Sequence, residues 1–159
     1  MIFVTVGGQK PFPRLIDSVD AWAAEKKLPA DEVFAQIGKS PTKPGYIESV
    51  ESLTPAAYMD RVEQSTMILA HAGMGTILTA VDLGKPILVM PRRADQGEHR
   101  NDHQLATARQ LQDVLGLCVA WDEDELRDWL ERLDEVSPSK SDGSSHAQLI
   151  SFVRDFLGG

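Results

Sequence analysis

Two blocks of residues in this chain have types and spacing suited to chemistry. The first is His71-Ala-Gly-Met-Gly-Thr76, and the second is Gly97-Glu-His-Arg-Asn-Asp-His-Gln104. The first lies between an apolar run, Thr66 to Ala70, and a helical pattern, Ile77 to Leu83. That order predicts a strand, a tight glycine turn and a helix N-terminus. Free backbone N–H groups and the positive end of the helix dipole meet at such a turn and favour phosphate. Gly73, Met74, Gly75 and Thr76 are the expected phosphate contacts, and His71 could donate to a phosphate or sugar oxygen. The second block brings Asn101, His103 and Gln104 to the start of another helix, where they could read polar groups of the same ligand. Together the blocks point to a nucleotide-sugar site.

The elements that must position these residues alternate along the chain. Strands are expected over 2–6, 33–37, 46–50, 66–70, 87–90 and 117–121, and helices over 12–24, from 55, 76–83, 102–115 and 122–133. Thr54 and Asp122 stand where N-caps belong, with Pro55 at a first helical position. Gly84 marks a helix end. Alternation of this kind implies an α/β fold with a Rossmann-like, doubly wound parallel sheet, whose ligands bind beyond the carboxyl ends of the strands. Gly7, Gly8 and Gln9 follow the first strand and fall on the same rim as His71. We expect an α/β domain over 1–136, a flexible Ser- and Pro-rich linker over 137–145 and a C-terminal helix within 146–159.

Composition excludes several other classes. The chain has 159 residues, 42% of them hydrophobic, and a formal net charge of -8, which argues against nucleic acid as a partner. No apolar run approaches the roughly 20 residues of a membrane span. The N-terminus reads as a strand rather than a signal peptide. Cys118 reads as a buried strand thiol. Between Lys85 and Arg109 the balance turns basic, with Lys85, Arg92, Arg93, Arg100 and Arg109 against Asp95, Glu98 and Asp102. Such a patch suits an anionic ligand or surface. Leu78 stands where a dinucleotide fingerprint needs its third glycine, and no Walker motif is present. Asp122-Glu-Asp124 opens an acidic helix, so capping accounts for it. His99 and His103 lack a third ligand, and no metal or tightly bound cofactor is expected.

Beyond these residue-level readings, His71-Ala-Gly-Met-Gly-Thr76, Leu83-Gly-Lys-Pro-Ile87, Met90-Pro-Arg92 and Asn101-Asp-His-Gln104, with Phe3-Val-Thr-Val-Gly-Gly-Gln9, resemble the C-terminal domain of glycosyltransferase family 28. The resemblance spans Met1 to about Trp121. It implies the donor-binding half of a GT-B fold, and the chain has no room for a separate acceptor half. The chain is most similar to stand-alone subunits of split enzymes, such as the cytosolic subunit of the dolichol-linked N-acetylglucosaminyltransferase and small bacterial exopolysaccharide subunits. The resemblance implies a UDP-sugar donor, a polyprenyl-linked acceptor and a membrane-anchored acceptor-binding partner that supplies the general base. His71 is the candidate catalytic group within the chain itself. It also implies a cytoplasmic protein peripheral to the inner face of the plasma membrane. Thr79 stands where the lipid II enzyme of the family uses glutamate to clasp the ribose, and a threonine cannot accept two hydroxyls bidentately. An epimerase-like nucleotide-sugar enzyme and a non-catalytic nucleotide-binding module are the alternative readings.

Overall fold

Four short apolar segments with little polar interruption, 2–5, 33–36, 67–71 and 87–90, can be satisfied only where both faces of a strand are covered. In the computed structural model, which describes residues 1–8 and 10–139 together with Ser151 and Arg154, they form the centre of a six-stranded sheet. The strands are β1 (Ile2–Thr5), β2 (Val33–Gln36), β3 (Glu48–Val50), β4 (Met67–His71), β5 (Ile87–Met90) and β6 (Cys118–Val119). All neighbours are parallel, in the order β3-β2-β1-β4-β5-β6. Ile2 to Thr5 align with Val33 to Gln36 on one side and with Met67 to Ala70 on the other.

Among the described residues, the two faces are covered by α1 (Pro13–Glu25), α2 (Pro55–Gln64), α3 (Met74–Asp82), α4 (His103–Leu115) and α5 (Glu123–Leu130). Leu15, Val19 and Trp22 of α1 and Leu126 and Leu130 of α5 pack with Val4, Ala35 and Leu69 on one face. Val62 of α2, Ile77 and Val81 of α3 and Leu111 of α4 pack with Phe3, Phe34 and Ile68 on the other. The period-two alternation of strand side chains thus divides the core into two layers.

Most expected elements are present, with shifted ends. The Thr54 hydroxyl accepts from the Ala57 N–H at 3.1 Å, and the Asp122 carboxylate accepts from the Glu125 N–H at 2.8 Å. Helix α3 begins at Met74, two residues before the expected Thr76, because Gly73 serves as its N-cap through the backbone alone. Helix α5 ends at Leu130 rather than Leu133, and a 3-10 turn at Leu133–Glu135 follows Arg132, whose φ of -131° leaves the helical region. Strand β6 keeps only two of five expected residues, and Cys118 is half-buried rather than enclosed. Burial pushes its thiol pKa up. Within the segment read as a linker, Pro138 bridges Pro86 in antiparallel fashion and Ser139 is buried. Ser151 and Arg154 are helical and exposed. The rest of the linker and of the expected C-terminal helix, and also Gln9, lie outside the described residues.

Candidate functional site

Strand order reverses between β1 and β4, and in a doubly wound sheet the crevice beyond that pair of carboxyl ends is where ligands settle. The turn after β1 is fastened there from below. Gly7 adopts φ +78°, a conformation that favours glycine. Its N–H donates to the Thr5 hydroxyl at 3.3 Å, and its carbonyl accepts from Gln36 Nε2 at 2.9 Å. Gln36 also donates to the Glu51 carbonyl and accepts from Thr5 at 2.6 Å. Thr5 and Gln36 are both buried, so this pair holds the Gly7-Gly8 turn against the sheet.

His71 ends β4 with its ring wedged between two glycines. A Cβ on Gly7 would lie 2.7 Å from His71 Nε2, and a Cβ on Gly73 would overlap the ring outright. The glycine before α3 is therefore required by the neighbouring imidazole, since its own backbone (φ -86°, ψ 132°) suits any residue. Burial lowers the His71 pKa to about 4, assisted by the charges of Arg92 and His99. At neutral pH the ring is uncharged. Gln104 Nε2 lies 3.1 Å from His71 Nδ1.

The N-terminus of α3 opens beside that ring. No side chain caps it, and the Ile77 N–H is the first to return within the helix, to Gly73 O at 3.1 Å. The N–H groups of Met74, Gly75 and Thr76 precede it without intrahelical acceptors. A side chain at Gly75 would meet open space. The Thr76 hydroxyl is shared with Tyr58 Oη at 3.0 Å, and the Thr79 hydroxyl donates to Gly75 O at 2.8 Å. Burial raises the Tyr58 pKa, keeping the phenol neutral.

Two cavities meet at Gly7-Gly8. The first, about 540 Å³, is lined by Lys10, His71, Arg92, Glu98, His99, Arg100 and Gln104 along with Val6 and both glycines. The second, about 510 Å³, has Leu53, Pro55, Tyr58, Met59, Gly75, Thr76 and Thr79 in its wall. Polar and cationic groups thus gather on one side of the turn, and an apolar wall with the helix N-terminus on the other.

The basic stretch between Lys85 and Arg109 is mostly structural. The Arg92 guanidinium is buried and donates to the carbonyls of Val6, Lys10, Pro11 and Glu98, stitching the loop after β5 to the loop after β1. Glu98, also buried, takes two bonds from Arg14 at 2.9 Å each and one from the Arg93 N–H at 3.0 Å. Lys85 caps the carbonyls of Glu63 and Ser65, Arg93 pairs with Asp95, and Arg109 lies over Trp121. Arg100 remains at the first cavity, together with Lys10.

The site residues expected from sequence divide accordingly. Gly7, Gly8, His71 and Gln104 share the first cavity, and Gly75, Thr76 and Thr79 the second. Asn101 accepts from the His103 N–H at 3.0 Å and Asp102 from the Ala94 N–H at 2.9 Å, so both shape the loop entering α4. Gln9 is outside the described residues. Sequence reasoning missed Thr5, Gln36, Tyr58 and the inward roles of Arg92 and Glu98. A glutamine within an otherwise apolar strand was the one available signal. Among the described residues no three His, Cys, Asp or Glu side chains gather as a metal would require.

A Rossmann-type sheet with an uncapped helix N-terminus at its switch point defines a doubly wound α/β domain, the architecture of one half of a GT-B fold. The sequence pattern of the glycosyltransferase family 28 C-terminal domain matches residues 1–155, and the chain belongs to that family. It is 30% identical over 119 residues to the human UDP-N-acetylglucosamine transferase subunit ALG13, covering 69% of this chain and 10% of that protein. It is 27% identical over 161 residues to the subunit of the same name from Yarrowia lipolytica, covering 90% of this chain and 79% of the relative. The solution structure of ALG13 superposes with a TM-score of 0.62 at 18% identity, over 96% of this chain and 92% of that one. The chain thus spans a tenth of the human relative's length and most of the Yarrowia one's. Among the described residues, no helix is long and apolar enough to cross a membrane.

Proposed function

We propose that this chain is the donor-binding half of a two-component glycosyltransferase, taking a UDP-sugar and transferring a hexosyl or N-acetylhexosaminyl group to a polyprenyl-linked acceptor. The observation that carries this reading is the uncapped N-terminus of α3 beside the uncharged His71 ring and the Gly7-Gly8 turn. Three unpaired N–H groups at a helix dipole form an anion seat, and it opens into the second cavity, which shares Gly7 and Gly8 with the first. In this reading the nucleoside lies in the cavity walled by Leu53, Pro55 and Tyr58. The Thr79 hydroxyl, its proton committed to Gly75 O, accepts from the ribose. The diphosphate crosses Gly73, Met74, Gly75 and Thr76, and the sugar enters the polar cavity lined by Gly8 and Gln104, with His103 a proposed contact.

Transfer then proceeds by attack of an acceptor hydroxyl oxygen on the anomeric carbon. The new C–O bond forms as the bond to the β-phosphate oxygen breaks. UDP departs with its charge stabilised by the α3 N–H groups, and the hydroxyl proton passes to a base. His71, the candidate within the chain, is held against Gly7 and Gly73, which disfavours it as that base. In this reading the base and the acceptor groove belong to a membrane-anchored partner, which would hold the chain at the cytoplasmic face of the membrane that makes cell-surface polysaccharide. The relatives' name, a transferase subunit, supports an enzyme assembled from parts. The test is sugar transfer from a panel of UDP-sugars to a polyprenyl diphosphate-linked acceptor, with the purified chain alone and with membranes from its source. Transfer that requires both fractions supports the proposal, whereas efficient transfer by the chain alone overturns the two-component reading.

A further inference from the structure

We propose that Gln104 is a positioning residue: bridging the Arg92 backbone N–H and the His71 ring, it fixes His71 in the tautomer with its proton on Nε2. An amide side chain has one accepting and one donating end, and its orientation is assigned from its partners. The Arg92 N–H can only donate, so the atom 3.0 Å from it is the Gln104 carbonyl oxygen. The NH₂ end is then the one 3.1 Å from His71 Nδ1. That nitrogen must offer a lone pair, which leaves the single proton of the neutral ring on Nε2. The Nε2 edge faces Gly7, where the two cavities meet.

The bridge is anchored from outside the ligand site. Arg92 cannot turn its amide, because its guanidinium is tied to four carbonyls. Gly7 and Gly73 leave the ring no room to swing away. Gln104, expected from sequence to touch the sugar directly, therefore acts through His71, which becomes a directed and uncharged N–H donor. A neutral donor rewards an oxygen placed on its axis, whereas an imidazolium would attract any anion. Arg92 and His99 are the charged or titratable groups whose fields reach this ring, and both oppose its protonation. The use of this donor toward a phosphate or sugar oxygen rests on the donor-binding reading, but the tautomer does not.

The experiment is long-range proton–nitrogen NMR of the histidine rings in the full chain at neutral pH, with His71 assigned by its absence from His71→Asn. The expected spectrum has a protonated Nε2 and a hydrogen-bonded, unprotonated Nδ1. Gln104→Glu presents only acceptors to the ring and should move a proton onto Nδ1. Gln104→Met should give interconverting tautomers. A protonated Nδ1 in the wild type overturns the proposal, as does an unchanged His71 tautomer in a folded Gln104 variant. The wild-type spectrum decides the tautomer even if neither variant folds. Adding UDP should shift the Nε2 signal. A wild type that shows the expected tautomer but binds no UDP would refute the donor-binding reading and leave the positioning role standing.

Discussion

Replacing Gly73 by alanine adds one methyl group at a position where the backbone tolerates it and the His71 ring does not. With φ at -86° and ψ at 132°, alanine introduces no dihedral strain. As an N-cap it is poorer than glycine by at most about 1 kcal/mol. The larger cost is steric. The new Cβ overlaps the imidazole, which must leave its slot between Gly7 and Gly73. Overpacking of this kind costs about 1–3 kcal/mol. Turning the ring out also strands the Gln104 amide, at about 1 kcal/mol or more. A total of about 3 kcal/mol lowers Tm by about 10 °C in a domain of this size. The assay is denaturant unfolding of Gly73→Ala, His71→Ala and the double variant. With the ring gone, Gly73→Ala should cost only the capping difference, so the two changes should couple by about 2 kcal/mol. Gly75→Ala, whose Cβ meets open space, is the control and should be neutral or slightly stabilising. An equal cost for Gly73→Ala with and without His71 would refute the reasoning.

Arg92→Met should destabilise the chain by about 3 kcal/mol, since it unpairs buried carbonyls on two loops; an unchanged denaturation midpoint would contradict the stitching role. Stability should also fall in mild acid. The His71 pKa is about 4 in the folded chain against an ordinary 6.5, so between those values the unfolded chain binds the proton and the folded chain does not. This stability is present above pH 6.5 and is lost as pH falls toward 4, by at most about 3 kcal/mol. His71→Asn should flatten that part of the profile, and an equally steep loss in the variant would assign it elsewhere. EDTA should leave UDP binding unchanged, and a strict requirement for a divalent ion would mean that a metal site had been missed.

The order of elements was legible because a buried parallel sheet writes itself as separated apolar runs, and because Thr54 and Asp122 cap their helices with their own side chains. The rim carrying Gly7 and His71 followed from that order. What was not legible depends on contacts far apart in sequence. Arg92 looked like part of a basic patch, yet its guanidinium is spent on carbonyls more than eighty residues away. The place of the Gln104 amide between Arg92 and His71 was equally hidden, because a local pattern does not disclose such contacts. The start of α3 was placed two residues late because Gly73 caps through its backbone and leaves no side-chain signal. Tyr58 carried no motif at all, and its place in the site comes from the packing of α2 against α3 through Thr76.

The central claim is that the N-terminus of α3 holds a diphosphate, and isothermal calorimetry of UDP against uridine tests it most directly. The wild-type chain should bind UDP at least about tenfold more tightly than uridine, a difference of about 1.4 kcal/mol. In Gly75→Val the branched side chain grows into the open space over the helix N-terminus and should remove that preference. Equal affinity of the wild-type chain for UDP and uridine would contradict the account.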